Sequence, residues 1–406
     1  MTGKTCAALF SLLIVMGCSG GGSPGTMQTP PSTPAPLPSG APAYDYRVPA
    51  DKSDGWAVSA ASAVSVDVGL LEAMVDAARS GAVPDVDAIS IAYQGRLILD
   101  EVLRTGVDQV DSEVGNLDPT QHALFSVSKS IAAMAIGVAI RQGDIEGDTV
   151  PYLSLFDYPA YEHFDQNKAA IQLKDVLSMR MGIDWDEFDP GYLEPGNQLL
   201  SFHAANTDWT KGLLDLPMAG APGEAFAYNT VASTSLGQAI ENAQPLMLED
   251  FLSTYLIMPM QINSVSLRRT PTGLPDLGRG LYLTSRDMLK FGQLLLDGGR
   301  WNGEVIISEQ WNASLTEANT EFGWLLPETY AWKMTGYGYQ WWTGYYEVDG
   351  HELPAYAARG FGSQLIMVIP DLELVVAVQS RAYGAGDDER PVFQLIADYI
   401  IPAVQS

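Results

Sequence analysis

Apolar and polar positions along this chain follow two periods, one helical and one alternating, and together they outline the fold. Gly69-Leu-Leu-Glu-Ala-Met-Val-Asp-Ala-Ala-Arg79 repeats its apolar side chains at helical spacing and predicts an amphipathic helix. Asp87 to Tyr93 and Arg96 to Val102 are β-rich runs around a Gln94-Gly95 turn, which predicts a hairpin. From about 150 to 270 the pattern is mostly helical, broken by loops rich in Pro, Asp and Trp. Gly280 to Leu296 predicts another amphipathic helix, with Thr284 or Ser285 as its N-cap. Ser363 to Ile369 and Leu372 to Gln379 flank Pro370-Asp371 and predict a second hairpin, followed by a last helix from Arg390 to Ile401. Strands at both ends with helices between them imply an α/β fold. Its antiparallel sheet is built from both chain ends, flanked by helices, and carries a mostly helical insertion over roughly 140–275.

One helical run breaks the amphipathic rule. Ile131-Ala-Ala-Met-Ala-Ile-Gly-Val-Ala-Ile140 has no polar face and closes at Arg141-Gln-Gly143, where the glycine suits a helix C-cap. A helix apolar all round is buried. At its mouth stands Ser126-Val-Ser-Lys129, the chain's Ser-x-x-Lys. Residues three apart share a helix face, so the hydroxyl and the amine can meet. Serine is a poor nucleophile without an adjacent base, and a lysine set in apolar surroundings has its pKa lowered toward neutrality. The N–H groups at the helix start can stabilise an oxyanion. The motif is short and arises readily by chance, so its weight depends on partners elsewhere.

The N-terminus differs from the rest. Lys4 precedes an apolar run from Ala7 to Met16 that stops at Val15-Met16-Gly17-Cys18. This is the layout of a secretory signal, too short to span a bilayer as a mature helix. The cysteine just after a small residue resembles the bacterial lipoprotein signal. That resemblance implies a signal peptide over 1–17, lipidation of Cys18, and an exported protein anchored in the membrane, facing the periplasm or cell surface. Residues 18–43 are rich in Gly, Ser, Pro and Thr and read as a flexible tether, leaving 44–406 as the folded domain. Two Gly-x-Ser-x-Gly matches, at Ser19 and Ser23, fall in this tether without the strand and helix such an elbow needs. The other cysteine, Cys6, lies within the signal, so the folded domain has no disulfide and no cysteine-ligated metal. A net charge of -27 argues against nucleic acid as a partner.

Two further segments supply partners for Ser126. Pro222-Gly-Glu-Ala-Phe-Ala-Tyr228-Asn229-Thr230 marks a loop before a helix, where a tyrosine can shuttle a proton if a lysine beside it depresses its pKa; the alternative is a core tyrosine with a satisfied hydroxyl. Ala358-Arg359-Gly360-Phe361-Gly362 opens the C-terminal hairpin, where glycines let the backbone approach a ligand and a strand-edge N–H can donate to an oxyanion; the alternative is a plain bulge.

With these segments in order, and with Asp175-Val-Leu-Ser-Met-Arg-Met-Gly-Ile-Asp-Trp-Asp186, Gly280-Leu-x-Leu-Thr-Ser-Arg-Asp and Tyr337-Gly-Tyr-Gln-Trp-Trp342 between them, the chain resembles the serine β-lactamase-related hydrolases. Its wording is closest to their 6-aminohexanoate-dimer hydrolase and esterase branch. The resemblance implies a β-lactamase/transpeptidase-like fold and an acyl-enzyme mechanism without metal or organic cofactor. Ser126 would be the nucleophile, Lys129 its base and Tyr228 the proton shuttle. The backbone N–H groups of Ser126 and Phe361 would form the oxyanion hole, with Asn229, Thr230 and Gly360 meeting substrate. Two departures stand out. The usual Tyr-x-Asn is Tyr228-Asn229-Thr230, and the Lys-Thr-Gly of β-lactamases is Ala358-Arg359-Gly360, with strand alternation pointing Arg359 outward. Without that lysine to hold a drug carboxylate, small esters or amides are the expected substrates. A β-lactamase or DD-peptidase is the alternative enzyme, and a catalytically silent cell-wall binding module is the alternative of another class.

Overall fold

The computed structural model describes residues 43–106, 114, 117–192, 194–322, 326, 329–383 and 389–405. Cys18, the signal segment and the tether up to residue 42 lie outside them.

The strands in chain order are β1 (Ala57–Val58), β2 (Val86–Tyr93), β3 (Arg96–Val102), β4 (His122–Ala123), β5 (Ser266–Leu267), β6 (Leu281–Leu283) and β7 (Arg300–Trp301). They continue as β8 (Glu304–Val305), β9 (Thr320–Glu321), β10 (Trp332–Tyr337), β11 (Trp342–Val348), β12 (His351–Gly360), β13 (Gln364–Ile369) and β14 (Leu374–Ser380). Nine of them form one sheet in the order β1-β3-β2-β14-β13-β12-β11-β10-β9, antiparallel except for the short β1–β3 pair. Its two halves come from opposite ends of the chain and meet where β2 pairs with β14, Ile91 opposite Val376.

The helices are α1 (Val68–Ser80), α2 (Val127–Gln142), α3 (Gln166–Ala170), α4 (Leu173–Leu177), α5 (Gln198–Ala205) and α6 (Trp209–Asp215). They continue as α7 (Thr230–Ala243), α8 (Leu248–Leu252), α9 (Ser285–Leu296), α10 (Glu309–Thr316), α11 (Arg390–Leu395) and α12 (Ile401–Gln405). One π turn, Ile396–Ile400, joins α11 to α12 and carries the last helix past its expected end.

Side-chain alternation on the central strands divides the core in two. Leu365, Met367, Ile369, Leu374, Val376 and Val378 face α1 and the C-terminal helices, whereas Ile366, Val368, Val375 and Ala377 face α2 and α9. Both faces are covered, so β13 and β14 read as unbroken apolar runs. Helix α9 lies close on the sheet because Gly292 has no side chain: a Cβ there would sit 2.4 Å from Val375 Cγ1.

The helix expected from Gly280 starts five residues later. Leu281–Leu283 is a buried strand paired with β4 and β5, and Thr284 caps the helix with its hydroxyl accepting the Asp287 N–H at 3.1 Å. Three consecutive buried apolar residues fit either period; pairing decides for the strand. In the turn that follows, Arg286 bridges three segments. Its guanidinium donates to Asp54 at 2.6 and 2.8 Å, to Asp100 at 3.1 Å and to the Ala50 carbonyl at 3.1 Å. The network ties the N-terminal segment and β3 to α9, and it is almost fully buried. Removing one partner of such a network leaves buried charge uncompensated. Arg286→Ala is expected to cost about 3–5 kcal/mol, read as a lower urea midpoint; an unchanged midpoint would contradict this role.

Candidate active site

The site begins at the loop entering α2. Phe125 takes a left-handed φ of 46° and Ser126 turns at once into right-handed helical geometry. Strand β6 pins this loop on both sides: the Leu124 N–H donates to the Leu281 carbonyl at 2.8 Å, and the Leu281 N–H donates to Ser128 Oγ at 3.2 Å. Behind it, every residue of α2 from Val127 to Ala139 is buried, so Lys129 enters a buried, largely apolar environment.

Lys129 Nζ donates to Ser126 Oγ at 2.9 Å and to the Gly278 carbonyl at 2.9 Å. Burial pushes its amine down to about 8; Glu187 and Asp276 oppose this shift and Arg279 adds to it. Asp276, itself buried, aligns Gly278 by accepting its N–H at 3.0 Å and the Thr234 hydroxyl at 2.7 Å.

Tyr228 lies beside Ser126, and its ring centroid is 4.9 Å from Lys129 Nζ. Phe188 stacks on it at 5.4 Å and Trp342 at 5.8 Å, while Tyr337 meets it edge-on. The expectation that a neighbouring lysine depresses this tyrosine's pKa is corrected. Burial between aromatic rings dominates and pushes the phenol well above its ordinary range. Tyr228 is therefore a neutral phenol, able to donate a proton but not to act as a resting base.

The Ala358–Gly362 segment ends β12 beside the same loop. Gly360 touches it directly: a Cβ there would lie 2.2 Å from the Leu124 carbonyl oxygen. The Phe361 and Phe125 rings meet edge-on at 5.3 Å, so the backbones of Ser126 and Phe361 run on adjoining segments. Ala358 faces the α2 side and Arg359 the opposite one, as alternation requires. Arg359 nonetheless does not reach solvent. It pairs with Glu389 and lies over Trp342, Trp332 and Phe393, filling a buried position behind the site.

Asn229 and Thr230 adjoin Tyr228, with their side chains engaged inside the protein. Asn229 Oδ1 accepts the Ala232 N–H at 2.9 Å and caps α7, and the Thr230 hydroxyl donates to Glu187. Trp185 and Trp341, which lie in two of the segments that carry the resemblance, are core residues. Glu187, Asp276 and the Gly278 carbonyl escaped the sequence reading, because nothing local marks an acidic residue or a glycine in a loop as facing a lysine far away in the chain. Among the described residues, no three His, Cys, Asp or Glu side chains gather in a way that could hold a metal ion.

A serine hydroxyl, a buried amine and a neutral phenol close together, beside two backbone segments able to present N–H groups, form a constellation suited to acyl transfer. The β-lactamase family model matches residues 70–399. The chain is 26% identical over 310 residues to a 6-aminohexanoate-dimer hydrolase of Paenarthrobacter ureafaciens, covering 70% of each chain. In fold it resembles the octameric penicillin-binding protein homologue from Pyrococcus abyssi, with a TM-score of 0.60 at 18% identity, covering 83% of this chain and 77% of that one. It also resembles EstCE1, a hydrolase with promiscuous acyltransferase activity, with a TM-score of 0.58 at 16% identity, covering 84% and 98%. With a β-lactamase/transpeptidase-like fold and hydrolases among its relatives, this chain belongs to the β-lactamase family of enzymes.

Proposed function

We propose that this protein is a serine hydrolase that cleaves small esters or amides through an acyl-enzyme on Ser126. The observation that carries the reading is the 2.9 Å contact between Lys129 Nζ and Ser126 Oγ inside a buried helix. The neutral amine takes the hydroxyl proton as Oγ attacks the substrate carbonyl carbon. The developing oxyanion is met by the N–H groups of Ser126 and Phe361. Tyr228, a neutral phenol, passes a proton to the leaving oxygen or nitrogen and is reprotonated from Lys129. Water then attacks the ester on Ser126 by the reverse transfers, releasing the acid and restoring the hydroxyl. No step calls on a cofactor.

Neutral substrates fit better than β-lactams. Ala358 stands where the β-lactamases carry lysine, and Arg359 is held by Glu389 on the other face of the strand. The 6-aminohexanoate-dimer hydrolase similarity supports an amide or ester carbonyl as the target. Export as a lipoprotein, with Cys18 lipidated and residues 18–43 as tether, is proposed on the N-terminal sequence.

Three outcomes are expected. A fluorophosphonate probe labels the wild-type protein but not Ser126→Ala, and p-nitrophenyl acetate is turned over while a chromogenic cephalosporin is not. Absence of labelling would support a silent binding module, and fast cephalosporin turnover without ester cleavage a β-lactamase. Secondly, kcat/KM for the ester rises with pH and levels off above about 8, since Lys129 must lose its proton to act as base. A profile flat from pH 6 to 9 would remove Lys129 from that role. Thirdly, Cys18→Ser moves the protein from the membrane to the soluble fraction; an unchanged membrane fraction would eliminate the lipid anchor.

A further inference from the structure

Glu187 is a carboxylate buried to 1% exposure beside the site. Such a group is costly to bury unless several donors converge on it. Here they do. The Thr230 N–H donates to Oε2 at 2.6 Å and Trp185 Nε1 to the same oxygen at 3.3 Å, while the Thr230 and Tyr192 hydroxyls donate to Oε1. Asn197 Nδ2 holds the loop backbone through the Glu187 carbonyl at 2.9 Å and the Pro190 carbonyl at 2.8 Å.

The loop reaches Tyr228 in two ways. Glu187 takes the first N–H of α7, two residues beyond Tyr228, and Phe188 stacks on the tyrosine ring. We infer that Glu187 is a positioning residue of this site: its carboxylate fixes the turn that carries Tyr228 into α7 and supplies negative charge to the Lys129 amine. The inference rests on the hydrolase reading above. The groups facing Lys129 are the Ser126 hydroxyl on its own helix, Tyr228 before α7, and Asp276, the Gly278 carbonyl and Arg279 on the loop before β6. His203 on α5 and Glu187 itself complete the set. Of the two carboxylates, Asp276 is already committed to Gly278 and Thr234 and flanked by Arg268 and Arg279. Glu187 is held instead by the N–H and hydroxyl donors named above.

Glu187→Gln keeps the shape, and the two hydroxyls can reverse to accept from the new amide, so the variant isolates the charge. Measured on p-nitrophenyl acetate, its kcat is expected to fall about tenfold and the acid limb of kcat/KM to move down by about 1 pH unit, because a less favoured ammonium is also a weaker base. Thr230→Val removes the hydroxyl anchor and leaves the charge; its kcat falls with the limb unmoved. A Glu187→Gln protein that melts like wild type and retains both the wild-type kcat and limb would overturn the inference. Should that variant not fold, Thr230→Val decides: a wild-type kcat overturns the positioning role and a reduced kcat at an unmoved limb supports it. Failure of the hydrolase reading is separate, since it would appear as a wild-type protein that the fluorophosphonate probe does not label at Ser126.

Discussion

The constraint from which the site follows is the burial of one amine. Lys129 sits one turn into a helix with no wet face, where an ammonium is far less stable than in water. Two acceptors meet it, Ser126 Oγ from its own helix and the Gly278 carbonyl from a distant loop. The first makes the hydroxyl a candidate nucleophile. The second dictates much of the surrounding architecture, since that carbonyl must be aimed, Asp276 must hold its peptide, and β6 must bring the segment alongside the start of α2.

A second tier of burial surrounds the first. Tyr228 lies between two aromatic rings, so its phenol stays protonated, and the carboxylate of Glu187 is satisfied by N–H and hydroxyl donors. An amine with a lowered pKa, a protonated phenol and a carboxylate lie in one buried volume without any of them being exposed. Low dielectric strengthens every interaction among them.

Much of this was legible in the chain because it is local. Ser126 and Lys129 lie one turn apart, Gly143 ends their helix in the left-handed conformation, and the runs that became β2, β3, β13 and β14 announce themselves by short β-rich segments around turns. The resemblance then drew Tyr228 and Gly360 into one place. The illegible parts are those decided by tertiary contacts. Leu281–Leu283 matches either period until β4 and β5 claim it as a strand. Tyr228 looked able to lose its proton to a lysine's field until burial reversed the sign. Glu187 and Asp276 were two acidic residues among 49 Asp and Glu, and only the folded loops single them out.

The junction between β2 and β14 has a consequence for timing. Ser126 and Lys129 are synthesised early, yet the strand that closes the sheet beside β2 ends at Ser380, and β12, which leans on the Leu124 carbonyl through Gly360, comes only shortly before it. Pairings between segments so remote in sequence form late, because loop closure must precede any reward from contact. A growing chain therefore carries its hydroxyl and amine long before it has the strand beside them. The hydroxyl and the amine gain their full surroundings only once the C-terminal hairpin has formed.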